Sequence, residues 1–197
     1  SGAQQFSEEN GAVVVNLDIG GGTTNLVLFD GGEIKSRGCL DIGGRQVRID
    51  RQGKIAYISK SAYEISKELN LSIEKGEIAD KKTLEKLCGG MCRLLEQTLG
   101  IEEKSPLLKR IETNGSQRFH LEEGRPVRYL FFSGGVADCI YQSNKDPFAY
   151  GDIGVLLGEA IRKGRLFQEF KVIDPAQTIR ATVIGAGSYT TAISGST

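Results

Sequence analysis

Asp18, Gly20, Gly21, Gly22, Thr23 and Thr24 fall close together in the stretch "LDIGGGTTNLVLFDGGEI" (residues 17–34). Residues of these types suit an anion. Backbone N–H groups that point the same way form a nest, and the absence of side chains lets a phosphate come close to them. The two threonine hydroxyls add donors at the rim. A carboxylate at Asp18 can hold Mg²⁺ through water, because magnesium prefers oxygen ligands and keeps much of its hydration shell. Acid, nest and hydroxyls together fit a metal-bound polyphosphate. The alternative is structural: three glycines form a tight bulged turn and Asp18 caps it.

A second candidate lies in "LFFSGGVADCIY" (residues 130–141), where Ser133, Gly134 and Gly135 join an apolar strand pattern to a helix start. There a flat adenine or ribose can pass close to the backbone. The competing reading is a helix start that needs small residues for packing. Other phosphate signatures fail. There is no GxxxxGK[ST], "GGGTTN" lacks the third glycine and following helix of a dinucleotide fingerprint, and "IGAGSYT" (residues 184–190) is a weak match. The chain has no GxSxG and no HExxH, and its one histidine, His120, forms no triad. The four cysteines, Cys39, Cys88, Cys92 and Cys139, contain no CxxC pair and read as reduced structural thiols rather than zinc ligands.

The elements that must position these residues follow from periodicity. "AVVVNLDI" (12–19) reads as a buried strand, "NLVLF" (25–29) as its partner across the glycine turn, and "EIKSRGCL" (33–40) as a third strand after a second turn. "QVRID" and "KIAYIS" flank Arg51-Gln52-Gly53 as a further hairpin, and helical patterns cover 61–69 and 80–99. After a looser section containing His120, read as lying on a strand, come the strand "VRYLFF" and the amphipathic helix "GDIGVLLGEAIRKG". A strand "TIRATVI" (178–184), a glycine loop and "YTTAIS" close the chain. Meanders combined with strand-to-helix units imply an α/β or α+β fold with a mixed sheet. The predicted division is a tail (1–11), one nucleotide-type lobe (12–44 and 128–197) and an inserted subdomain (45–127).

Lys+Arg and Asp+Glu each number 25, and no basic run appears, which argues against a nucleic-acid partner. The longest apolar stretches are strand-length, well short of the roughly 20 residues of a membrane helix, so no membrane association is expected.

With these motifs in place, "LDIGGGTTNLVLFDGGEI" resembles the second phosphate hairpin of the actin, sugar kinase and heat-shock 70 superfamily, and "CLDIGGRQVRID" resembles the segment that follows it. "LFFSGGVADCIY" is similar to that superfamily's adenosine motif and "GDIGVLLGEAI" to its second connecting helix. The resemblance implies an actin-like, ribonuclease H-like lobe binding ATP and Mg²⁺. Gly20, Gly21, Gly22, Thr23 and Thr24 would hold phosphates, Asp18 would reach Mg²⁺ through water, and Ser133, Gly134 and Gly135 would line adenosine. Nearly the whole chain, including "IRATVIGAGSYTTAISGST", resembles the ethanolamine ammonia-lyase reactivating factors. That likeness implies an ATP-dependent, chaperone-like activity that exchanges damaged cobalamin for adenosylcobalamin on the lyase. It also implies a cytoplasmic setting, with bacterial microcompartment association as the finer expectation.

Two departures shape the expectation. Heat-shock 70 proteins place a second acid three residues beyond the glycines, whereas this chain has Asn25, which cannot accept a proton as a carboxylate does. Any hydrolysis is therefore expected to be slow, and no catalytic residue is assigned. The superfamily also pairs two similar lobes, each with a phosphate hairpin. Only one such hairpin is present here, so the chain is expected to be a C-terminal half that lacks its N-terminal lobe and by itself binds nucleotide poorly. The alternatives are a small-molecule kinase of the same fold, with Asp41, Arg45 or Asp138 toward its acceptor, and a non-catalytic actin-like scaffold module.

Overall fold

The computed structural model describes residues 2–113, 118–143 and 146–175. The segments 178–184 and 185–188, expected as a strand and a glycine loop, lie outside the described residues. A mixed sheet organises the rest. Strands β1 (Val13–Ile19), β2 (Thr24–Asp30) and β3 (Glu33–Leu40) form the expected antiparallel meander. Strand β6 (Tyr129–Ser133) then lies parallel to β1 on its other side, and the short β7 (Lys171–Val172) lies parallel to β6. The sheet order is β3-β2-β1-β6-β7. The central strand β1 is covered on both faces, which explains why its sequence is a near-continuous apolar run.

Between β3 and β6 the chain forms the hairpin β4 (Val47–Ile49) and β5 (Ile55–Ile58), followed by α2 (Lys60–Glu68), α3 (Lys81–Thr98) and α4 (Pro106–Ile111). Ser59 caps α2 and Asp80 caps α3, each accepting a hydrogen bond from the backbone N–H three residues on. The apolar stripe of α3, with Leu84, Leu87, Cys88, Met91 and Leu95 fully buried, joins one core with the β1 residues Val13, Val15, Leu17 and Ile19. The same core takes in α6 (Gly154–Lys163) through Leu156, Leu157 and Ile161. All four cysteines are free, and burial pushes the Cys88 and Cys92 thiols far up, as expected of packing residues.

Two expectations are corrected. The predicted tail contains α1 (Gly2–Asn10), which sits on the opposite face of the sheet. Ala3 is fully buried there with Val14, and the Phe6 ring meets Tyr129 and Phe131 edge-on at 5.0 and 5.4 Å. Few of its nine residues are apolar, so its pattern becomes visible only once a sheet face is present to receive it. His120 lies on no strand. Its segment runs beside β3, where the His120 N–H donates to Ser36 Oγ (2.9 Å) and Phe119 covers Gly38. This contact and a bridge from Glu112 to Leu40 cover the exposed edge of the meander.

Candidate functional site

The turn from β1 into β2 is closed by the Gly20 N–H donating to the Thr23 carbonyl (2.9 Å). Its carbonyls are used on one side only. Gly44 N–H donates to Gly20 (3.0 Å), Arg45 N–H donates to Gly21 (2.7 Å), and the Gln46 side-chain amide donates to Gly22. Among the described residues no acceptor is found for the N–H groups of Gly21, Gly22 or Thr23. The turn therefore has the Gly20, Gly21 and Gly22 carbonyls satisfied by residues 44–46 and keeps donors to offer, as an anion nest requires.

That arrangement depends on bare backbone. A Cβ on Gly43 would lie 2.5 Å from the Gly21 carbonyl oxygen, so two glycine segments pack main chain against main chain. Gly134 has φ +86°, and a Cβ there would lie 2.5 Å from both Asp18 Oδ1 and the Ile19 carbonyl. Only glycine meets both demands at this position. From there Val136 N–H donates to the Ile19 carbonyl (3.1 Å) and leads into α5 (Ala137–Tyr141). The two glycine motifs are thus in direct contact at the ends of β1 and β6.

Asp18 is flanked in register by Asn25 on β2 and Ser133 on β6, which places the three on one sheet face. Ser133 Oγ accepts a hydrogen bond from Asn16 Nδ2 (3.1 Å). Among the described residues no three histidines, cysteines or acids converge as a metal cage. A magnesium ion accompanying a polyphosphate does not need one, since one or two carboxylates complete its shell alongside phosphate and water. A half-buried Asp18 at the strand end fits that lesser demand.

Beside the glycine turn a cleft of about 440 Å³ opens, bounded by Gly20, Gly21, Gly44, Arg45, Gly135 and Val136, and neither Asp18 nor Ser133 lines it. Asp138, Cys139, Tyr150, Asp152 and Gly154 complete its wall. Asp152 precedes the Ile153 N-cap of α6, its Oδ1 accepting from Gly154 N–H (2.8 Å), while Oδ2 stands 4.0 Å from Arg45 Nε. Burial pushes the Asp152 carboxyl above its ordinary range, against the pull of the Gly154 N–H and of Arg45 and Arg48.

The sequence-predicted residues take different places around this cleft. Gly20, Gly21 and Gly135 line it. Gly22 is exposed and Thr23 half-buried at the turn. Thr24, expected at the phosphate rim, is instead fully buried and its hydroxyl donates to the Ile42 carbonyl (2.8 Å), so it braces the turn from beneath. Gly134 directs its bare Cα toward Asp18 rather than into the cleft. Sequence reasoning misses Gly44, Asp152, Tyr150 and Gly154, and it names Arg45 and Asp138 without a pattern to select them. The repeat of "DIGG" at residues 41–44 is the signal that points to Gly44.

The family model described as ethanolamine utilisation protein EutA matches residues 1–197. The chain belongs to the EutA family. The ethanolamine ammonia-lyase reactivase EutA of Salmonella typhimurium is 36% identical over 197 residues, and that of Escherichia coli is 38% identical over 199. Each comparison covers 100% of this chain but 41% of the relative, so the chain spans about two fifths of the length of the EutA proteins it matches. Among solved structures, a PilM-PilN type IV pilus biogenesis complex aligns with 89% of this chain and 42% of that chain at 16% identity. Its TM-score of 0.30 is too low to carry an argument. Among the described residues of this EutA-family chain, no helix is long and apolar enough to cross a membrane.

Proposed function

We propose that the chain is the nucleotide-binding lobe of an ATP-dependent, chaperone-like reactivating factor for ethanolamine ammonia-lyase, one that exchanges damaged cobalamin for adenosylcobalamin. The observation that carries the nucleotide part is the convergence of the β1–β2 glycine turn, the Gly43–Gly44 segment and the Gly134–Gly135 loop around one cleft. The lyase part is supported by family membership and by the reactivase names of the EutA relatives.

In this reading the free N–H groups of Gly21, Gly22 and Thr23 receive phosphate oxygens, and Gly135 lies beside the nucleoside. Asp18 holds the magnesium through water, and the ion offsets the negative charge of the phosphates. Asn25, directly across from Asp18, supplies no proton acceptor, which fits a slow ATPase used as a timer more than a fast catalyst. The rest of the site would come from sequence outside this chain, since the chain covers less than half of each relative.

The test is calorimetric titration of Mg·ATP into this chain and into the full-length protein side by side. Micromolar affinity, roughly 8 kcal/mol, confined to the full-length form supports a two-lobed site. Absence of binding to either sinks the nucleotide reading and leaves a scaffold of the same fold.

A further inference from the structure

Among the described residues that line the cleft, Arg45 is the one cation, and the wall otherwise carries the acids Asp138 and Asp152. Its position is fixed at the base and open at the tip. The backbone N–H donates to Gly21 (2.7 Å), and the alkyl stem lies over the same glycine, whose Cβ would be 3.0 Å from Arg45 Cδ. The side chain is nevertheless 75% exposed. Among the described residues the guanidinium donates no hydrogen bond, and its nearest acid is Asp152 at 4.0 Å, the edge of ion-pair range. A planar fork of donors is thus held beside a turn with unpaired N–H groups, with only a loose counter-charge.

We infer that Arg45 is the phosphate-contacting cation of this cleft and that Asp152 is its resting partner, exchanged for a phosphate of the ligand when one binds. This rests on the nucleotide reading above and adds to it the residue that distinguishes a polyphosphate from a nucleoside. Asp152 suits the resting role because its Oδ1 is engaged at the α6 N-terminus. The carboxylate therefore cannot follow the arginine, and the arginine leaves it when a phosphate offers bidentate geometry. Gly21 lets the stem lie this close, since a Cβ there would sit 3.0 Å from Arg45 Cδ and push it outward by a few tenths of an ångström.

The experiment compares Mg·ATP, Mg·ADP, inorganic tripolyphosphate and adenosine as titrants of the full-length protein, with the variants Arg45→Ala, Arg45→Lys, Asp152→Asn and the double variant Arg45→Ala/Asp152→Asn. Arg45→Ala is expected to weaken the three phosphate ligands by about tenfold to a hundredfold, the worth of a charge-assisted hydrogen bond, and to leave adenosine unchanged. Arg45→Lys falls between, because it keeps charge and loses the fork. Asp152→Asn keeps an acceptor for the Gly154 N–H and removes the competing charge, so it tightens Mg·ATP, and does so less when Arg45 is already alanine. If wild type binds Mg·ATP and Arg45→Ala binds it equally well, or loses adenosine to the same degree, the inference is overturned while the nucleotide reading stands. A wild-type protein that binds none of the four overturns both.

Discussion

The Cα of Gly43 faces the carbonyl of Gly21 so closely that a Cβ would lie 2.5 Å from its oxygen. Hydrogen bonds from the two residues that follow Gly43, Gly44 to Gly20 and Arg45 to Gly21, prevent the two segments from sliding apart without loss. Gly43→Ala is therefore expected to destabilise the fold by about 1–3 kcal/mol, the range for overpacking a tight site. Urea unfolding of wild type and variant measures this directly. An alanine variant as stable as wild type would show that the turn yields freely, and its geometry would then owe little to residues 43–46.

Gln46 extends the contact into the inserted hairpin. Its buried amide donates to Gly22 and accepts from the Ser59 hydroxyl, and Ser59 in turn caps α2 by accepting from Ala62 N–H (3.0 Å). Gln46→Leu removes both hydrogen bonds at an exposed Gly22 and a half-buried Ser59 and is expected to cost about 1 kcal/mol. Ser59→Ala costs about 1 kcal/mol through the cap. Because the two residues share one network, the double variant should cost less than the sum. Strict additivity in a denaturation cycle would mean that the glycine turn and α2 are energetically separate.

Elements with a strong local period are legible in the sequence alone. The meander, the β4–β5 hairpin, α3 and the apolar face of α6 all appear where their spacing puts them. The glycine runs are legible as close-approach positions for the same reason, since an ordinary hairpin does not need three in succession. What stays hidden depends on partners distant in sequence. Helix α1 needs the sheet face carrying Val14 and Phe131. Thr24 and Thr23 are adjacent and alike in type, and only strand pleat decides that one braces Ile42 while the other stays at the turn. Arg45 and Asp152 meet over more than a hundred residues of chain, and no spacing rule predicts such a pair.

Tyr141 compensates for the shortness of β7. That strand pairs only Lys171 and Val172 with β6, and the Phe132 N–H beyond it donates to Tyr141 Oη (2.9 Å). The hydroxyl in turn donates to the Ile173 carbonyl (3.0 Å). Burial pushes its pKa up to about 12, so the phenol remains a neutral donor throughout the physiological range. Tyr141→Phe keeps the ring against Phe132 but removes both hydrogen bonds, with an expected loss of about 1–3 kcal/mol. Amide exchange at Phe132 is the site-specific readout. Protection there unchanged by the substitution would rule out the hydroxyl as the acceptor that completes the sheet.

Asp152 carries a pH dependence whose sign follows from its burial. Its folded pKa lies above the ordinary value of 3.8, burial being the largest cause and the Gly154 N–H hydrogen bond with Arg45 and Arg48 opposing it. The folded state therefore holds this proton more tightly than the unfolded state. Above the folded pKa the buried charge is a full penalty. As pH falls through that pKa toward 3.8, folding takes up the proton and the penalty disappears. Asp152→Asn keeps an oxygen for the Gly154 N–H and has no charge to bury, so it should be more stable than wild type at neutral pH. The advantage should shrink as the solution is acidified from neutral pH toward 3.8. Thermal unfolding of both proteins across that range tests the sign. An advantage that grows on acidification would mean that attraction to Arg45 and Arg48 outweighs burial, and that the carboxylate is stabilised in the cleft.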